Sequence, residues 1–445
     1  MAKALLLTLD KEFSDLLTLN LALFINFEVI VKDNLEEGLV IIDSLPDLDL
    51  IIVPDKIGEA NIALGIHNHL NSCYLDIPLL IVGHEPTLVD EHIMIEGPAN
   101  WQKVIKYAAK IMDISPLSLV DQDIEDFYPV LLRYFYRIET CICDIYLAIP
   151  RSTEKSKLKF IKRIPVNETI DQSLLDKWYE QGVEKLYIEK ESRLKFGKAI
   201  AQSILDDLDN PNLSPIEKIQ VQSDAYQYIG EEVAEMGLSK ESIKMADKTI
   251  DSMKETIASD KTLKDLLDEL EKNKTSYLFK HALLISYIGH HIMDLAEWGS
   301  EEQSSKLAFV AFFHDLTLVN PIFAQVETEE ELKGLELSED EEKAVSEHAL
   351  KASMLFRTYP QLPIGADIII KQHHGAVNGI GYPEYISSRV SPLAIIFIVC
   401  EEYVNMILTD DDFDKDSAVL ELREKYGQMA FKRALDAIDL SLIHI

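Results

Sequence analysis

Five histidines and two acids in the last third of the chain have the types and spacing of a metal centre: His281, His314 with Asp315, His348, His373 with His374, and Glu401. Of the 12 histidines in 445 residues, seven fall between 281 and 374. Neutral imidazoles and carboxylates together form the ligand set of paired divalent ions, the kind of centre that activates water against a phosphodiester. A lone histidine on an apolar face is more often a hydrogen-bonded core residue. A set spread one per helix and converging inside an apolar bundle is how helical proteins build two-metal centres.

The elements that must position these groups are legible around them. His281 lies in YLFKHALLISYIGHHI, an apolar-periodic helix, and His314-Asp315 end a second, SSKLAFVAFFHDLTLV. His348 lies on EDEEKAVSEHALKASMLF, where Ser338 with Glu341 three residues on forms a capping box, and Glu339 and Asp340 suit the positive end of the helix dipole. His373-His374 close a fourth helix, IGADIIIKQ, ahead of a Gly-rich turn. Glu401 sits in LAIIFIVCEEYVNMI, a fifth helix apolar nearly all round. His290 and His291 fall nine and ten residues after His281 and so face elsewhere on the same helix.

In order, HD at 314–315, HH at 373–374 and Gly381-Tyr382-Pro383 resemble the HD-GYP branch of the HD phosphohydrolases over roughly 256–445. The resemblance implies an all-helical domain that hydrolyses cyclic di-GMP with a bi- or trinuclear iron or manganese site. It implies that His281, His314, Asp315 and Glu401 hold one ion, and that His348, His373 and His374 hold a second. Asp315 would bridge the two, and a water shared between them would be the nucleophile. Zinc suits the same donors. The Gly381-Tyr382-Pro383 loop, with Asn378 before it, would lie near the mouth of the site and serve substrate or protein contacts.

The sequence departs from the family in its substrate contacts. HDLTL puts Thr317 and Leu318 where the family has Gly-Lys, so a phosphate contact is missing, and a lysine at 318 is expected to raise activity. The usual VAD acid reads VCE, with Glu401 one methylene longer. The family's glutamate one turn before the first histidine is Tyr277, which disfavours a third ion. Gly375 and Asn378 replace two acids, and LTDDDFDKD (408–416) replaces an arginine-rich stretch with charge that repels a dianion. A weakly catalytic binding or signalling protein and an HD phosphohydrolase for another nucleotide therefore remain as alternatives to slow cyclic di-GMP hydrolysis.

Length predicts several domains and hydrophobic content of 47% predicts packed cores. A net charge of −34 speaks against nucleic-acid or anionic-membrane partners. Cys73, Cys141, Cys143 and Cys400 show no disulfide or metal spacing, and no stretch approaches a membrane span, so a reduced, cytoplasmic protein is expected.

The front of the chain follows another rhythm. ALLLTLD (4–10), FEVIVKD (27–33), LDLIIVP (48–54) and IPLLIVG (77–83) alternate with helical stretches, the βαβ pattern of a doubly wound parallel sheet. Residues 1–118 resemble a response-regulator receiver, which implies a five-stranded sheet, without its chemistry. No acid pair follows the first strand, Asp55 comes one residue late, Gly83 replaces the hydroxyl, and the lysine-proline is absent. The implied role is a pseudo-receiver that docks signalling partners.

Residues 119–200 read as a small α+β module with strands at 143–150, 157–164 and in VEKLYIEK. A basic run, Arg151, Lys155, Lys157, Lys159, Lys162 and Arg163, reads as a solvated hairpin tip, with an acidic partner as the alternative. Residues 201–255 read as a helical connector that could serve as a homodimer stalk.

Overall fold

The computed structural model describes residues 2–25, 27–45, 47–83, 93–96, 101–111, 126–150, 158–236, 238–259, 262–273, 275–295, 299–318, 320–357, 359–410 and 413–442. The chain forms two compact units: Met1–Ile204 with Leu238–Glu241, and Leu205–Gly237 with Ser242–Ile445.

In the first unit the expected apolar runs become parallel strands: Ala2–Leu7, Phe27–Lys32, Leu50–Pro54, Leu79–Gly83 and Ile93–Glu96. Numbered along the chain, they lie in the order 2-1-3-4-5, a doubly wound arrangement. Leu5, Leu7, Ile51, Val53 and Ile81 point to one face and pack with Ile62, Ile66 and Leu70 of helix Ile62–Cys73. Ala4, Leu6, Leu50, Ile52 and Leu80 are buried as well. Burial on both faces explains why these strands read as unbroken apolar runs. The fifth strand that the receiver resemblance implies is the four-residue Ile93–Glu96.

A second, antiparallel sheet has the order Leu158–Ile164, Ile145–Pro150, Lys185–Glu189, Phe127–Leu131. Helix Gln172–Glu180 accompanies it, capped by Asp171 on Ser173 N. Of the basic run, Arg151, Lys155 and Lys157 lie outside the described residues. Lys162 pairs with Asp144, and Lys159 and Arg163 are exposed. Asp10 accepts from Phe13 N at 2.9 Å, so the acid after the first strand starts a helix.

The second unit is helical. Ser338 and Glu341 form the expected capping box on Glu339–Phe356, Ser300 caps Glu301–Phe313, and Ser391 with Pro392 starts Pro392–Thr409. These caps satisfy backbone N–H groups that a helix start leaves bare. Phe279, Phe312, Phe313, Phe356 and Phe397 are fully buried.

The stretch expected as a connector, 201–255, is not a free stalk. Most of it lies in the helical unit, where Tyr226 of helix Pro215–Met236 meets the rings of Phe279 and Phe312 at 6.0 and 5.0 Å. Met245 and Met253 are fully buried, and Gln222 donates to Ser252 and Thr256. The core therefore begins near 205, ahead of the expected boundary at 256. Helix Pro392–Thr409 is long and apolar enough to cross a membrane by composition, contrary to the reading that no stretch approaches a span. Its residues from Ala394 to Asn405 are largely buried in the bundle instead.

Candidate metal centre

The set arrives on five helices or helix ends, with His373 and His374 sharing one. His281 faces inward from helix Tyr277–Leu295, between the buried Phe279 and Leu284. His314 is the C-cap of Glu301–Phe313 and keeps helical backbone angles, which carries Asp315 past the helix end into the interior. His348 lies on Glu339–Phe356, His373 caps the end of Ala366–Gln372, and Glu401 lies at the middle of Pro392–Thr409. Gly375 follows the histidine pair at φ 80°, and a Cβ there would lie 2.6 Å from the Ile386 side chain, so the turn needs glycine.

All seven groups meet. The ligand atoms of His281, His314, Asp315 and Glu401 lie within 4.8 Å of one another, as do those of His348, His373 and His374. Asp315 stands between the two sets. Its Oδ2 is 3.3 Å from His314 Nε2 and 4.0 Å from His281 Nε2. Its Oδ1 is 3.3 Å from His348 Nε2 and 3.8 Å from His373 Nε2. Glu401 Oε1 reaches His314 at 3.3 Å and His281 at 3.8 Å, so the longer acid spans its extra methylene within the helix register. Its neighbour Glu402 turns away to Lys425 and Tyr426.

The protons argue for cations. His314, His348 and His373 each direct Nδ1 at the carbonyl three residues back, Ala311, Val345 and Ile370, at 2.9, 2.6 and 2.6 Å. A carbonyl only accepts, so Nδ1 carries the proton and Nε2 presents a lone pair. Yet His348 Nε2 sits 3.0 Å from both His373 Nε2 and His374 Nε2. Bare lone pairs at that separation repel unless a cation or proton lies among them. His281 Nε2, His314 Nε2, Asp315 Oδ1 and both Glu401 oxygens are buried with no hydrogen-bond partner, a costly state that metal ligation removes. The donor set fits two divalent ions, with three imidazole nitrogens converging at one position and two imidazoles with Glu401 at the other.

Charge follows the same division. Burial opposes it, but Asp315 and Glu401 beside His314 push that imidazole up to about 10. His314 and His348 in turn hold Asp315 well below the usual carboxylate range against its burial. Burial, helped by the neighbouring imidazoles, drives His373 down to about 4 and holds His374 well below an ordinary imidazole. Without ions His314 is thus held as a cation between Asp315 and Glu401, and a bound ion would displace that proton from Nε2, while His373 and His374 stay neutral.

Glu327 was not foreseen. It hides in the acidic run VETEEE, which reads as a solvated turn, yet its Oε2 lies 3.2 Å from His374 Nδ1. Burial, with Glu401 and Glu402 nearby, pushes Glu327 well above the ordinary carboxylate range. Tyr277 stacks on His281 with ring centroids 5.7 Å apart.

In the loop, Tyr382 is buried with its ring 4.6 Å from that of His374. Asn378 is exposed and accepts from Ile380 N, Gly381 donates to Ser346 O at 2.7 Å with φ 69°, and Pro383 is exposed. Only Tyr382 of this loop reaches the metal-binding group. Leu318 is 5% exposed, so a lysine there would carry its charge into the core. That cost stands against the expected gain in activity.

His290 and His291 stay apart from the set, His290 against Ser304 and His291 against Tyr287. In the first unit, Asp43, His69 and Cys73 also cluster near the surface, a grouping that their sequence spacing did not reveal. There the His69–Asp43 hydrogen bond of 2.7 Å accounts for the pair.

No protein-family model matches the chain, and no curated protein matches it. Among solved structures, the chain is similar to Bd1817, a HDG"Y"P protein from Bdellovibrio bacteriovorus. The two share 15% identity, with a TM-score of 0.44 over 72% of this chain and 100% of that one.

Proposed function

We propose that the helical unit is a metal-dependent phosphodiesterase with two divalent ions, iron or manganese first and zinc third, whose substrate is cyclic di-GMP. The observation that carries this reading is Asp315, whose two carboxylate oxygens face two separate sets of imidazole nitrogens. A carboxylate so placed would contribute a ligand oxygen and negative charge to each of the two sets. The ions, when bound, would supply a nucleophile from water at neutral pH and neutralise the phosphodiester charge. The chain does the positioning. The carbonyls at 311, 345 and 370 hold three imidazoles in the ligating tautomer. Phe397, 5.1 Å from the His314 ring, walls the centre from water. Of the ligands, His374 is the most exposed, with 7% of its side chain accessible beside Glu327 at 13%. Substrate would approach on that side, under Tyr382.

A second reading, a cyclic-dinucleotide or partner-binding protein with little turnover, draws support from the buried Leu318 where a phosphate-contacting lysine is expected. The loop with Gly381-Tyr382-Pro383 and the degenerate first sheet would then serve signalling partners. Measuring turnover of linear and cyclic nucleotides by protein of known metal content separates the two. Hydrolysis that chelation abolishes supports the enzyme. Full metal without turnover supports the binding protein.

A further inference from the structure

We propose that Glu327 is a positioning residue of the metal centre, holding His374 by its Nδ1–H so that Nε2 is turned, as a bare lone pair, toward the ion shared with His348 and His373. The inference rests on the two-ion reading above and adds a residue that no sequence pattern assigns.

The need for such a residue comes from where His374 sits. His314, His348 and His373 are on or at the end of helices, and each finds a carbonyl three residues back for its Nδ1. His374 lies beyond the end of Ala366–Gln372, where the chain turns at Gly375. Its Nδ1 meets Glu327 Oε2 at 3.2 Å while its Nε2 meets His348 Nε2 at 3.0 Å. Without an acceptor at Nδ1, the proton is free to move to Nε2, the atom that must ligate. Two bound cations would offset the burial and the Glu401 and Glu402 charges that raise Glu327, so that it acts there as a carboxylate, which opposes that tautomer and makes the imidazole a better donor.

Glu327 is itself fixed from three sides. Asn405 Nδ2 donates to its Oε1 at 2.6 Å, and Asn405 Oδ1 accepts from Tyr277 OH at 2.9 Å. The backbone N–H of Glu327 donates to Glu331, which also closes the capping box with Thr328. Tyr277 stacks on His281. A continuous path, Tyr277–Asn405–Glu327–His374, therefore runs from one ligand set to the other. The carboxylate accepts from Asn405 on one oxygen and from His374 on the other. A glutamine has a single acceptor oxygen, so it would set a donor against one of those two donors.

The test is a Mn²⁺ titration against a competing chelator, for wild type, Glu327→Ala, Glu327→Gln, His374→Ala and the Glu327→Ala/His374→Ala double variant. Thermal melts of the metal-free proteins check folding, and the near-isosteric Glu327→Gln keeps the test alive if the alanine variant does not fold. Each Glu327 variant should weaken one ion about tenfold to a hundredfold and leave the other unchanged. The double variant should bind no more weakly than His374→Ala alone, because Glu327 acts through His374. Unchanged affinity for both ions in a folded Glu327 variant overturns the proposal, as does a loss in the double variant equal to the sum of the two single losses. Wild type that binds no pair of ions overturns the underlying two-ion reading instead.

Discussion

Asp315→Asn is the sharpest perturbation of the centre, because it changes charge without changing shape. The carboxylate lies 3.3 Å from His314 on one oxygen and 3.3 Å from His348 on the other. The amide keeps one acceptor, offers an N–H₂ to the opposite imidazole lone pair, and removes the charge that balances both ions. Loss of an outer-shell partner alone typically weakens metal binding tenfold to a hundredfold. Loss of a direct ligand should cost at least the upper figure, about 2.8 kcal/mol per ion at about 1.4 kcal/mol per tenfold. Applied to both ions, the combined loss is about ten-thousandfold or more. Dialysis against a competing chelator followed by elemental analysis should find neither ion in Asp315→Asn. His281→Ala and His348→Ala should each lose one. An Asp315→Asn protein that keeps either ion at wild-type affinity would refute the bridge.

Leu318→Lys should lower the melting temperature and leave nucleotide turnover no higher, since it places an ammonium at a site that is 5% exposed. A gain in kcat/KM with unchanged stability would contradict that placement. Incubation of the protein with acetyl phosphate and Mg²⁺ should leave its mass unchanged. Asp10 is engaged as a helix cap, and no acid pair stands beside Asp55 in the sequence; an adduct on Asp55 would refute this. Acidification should destabilise the metal-free protein through His373, which burial holds at about 4 against an ordinary 6.5. The unfolded chain takes that proton first, so the contribution is complete above pH 6.5 and is lost as pH falls toward 4. The loss amounts to about 3 kcal/mol. The urea midpoint of His373→Gln should fall less steeply over that window, and an equal slope would show that the imidazole is not the cause.

The clustering of these histidines and acids was legible because helices convert sequence into direction. His281 and His348 sit on long helices, Glu401 sits on one apolar nearly all round, and His314-Asp315 and His373 sit at helix ends. Glu327 was hidden for the opposite reason. It lies in a loop among acids that cap and solvate a short helix, and its burial depends on Asn405 and His374, distant in sequence. The stretch 201–255 looked like a connector because its apolar spacing is imperfect. Its buried side includes Ile219, Ile229, Met245 and Met253 beside the polar Gln222 and Ser252, and only the fold shows that this side meets the bundle. The parallel strands stood out as apolar runs buried on both faces. Ile93–Glu96, at four residues, was too short to do so.

Elemental analysis of anaerobically purified protein, run beside a cyclic di-GMP hydrolysis assay on the same sample, tests the central claim most directly. The account predicts about two transition-metal ions per chain and slow turnover that chelation abolishes and the metal restores. Two bound ions with no turnover of any cyclic dinucleotide would contradict the enzyme and leave a binding protein. No bound metal, and none taken up on reconstitution, would contradict the metal centre itself.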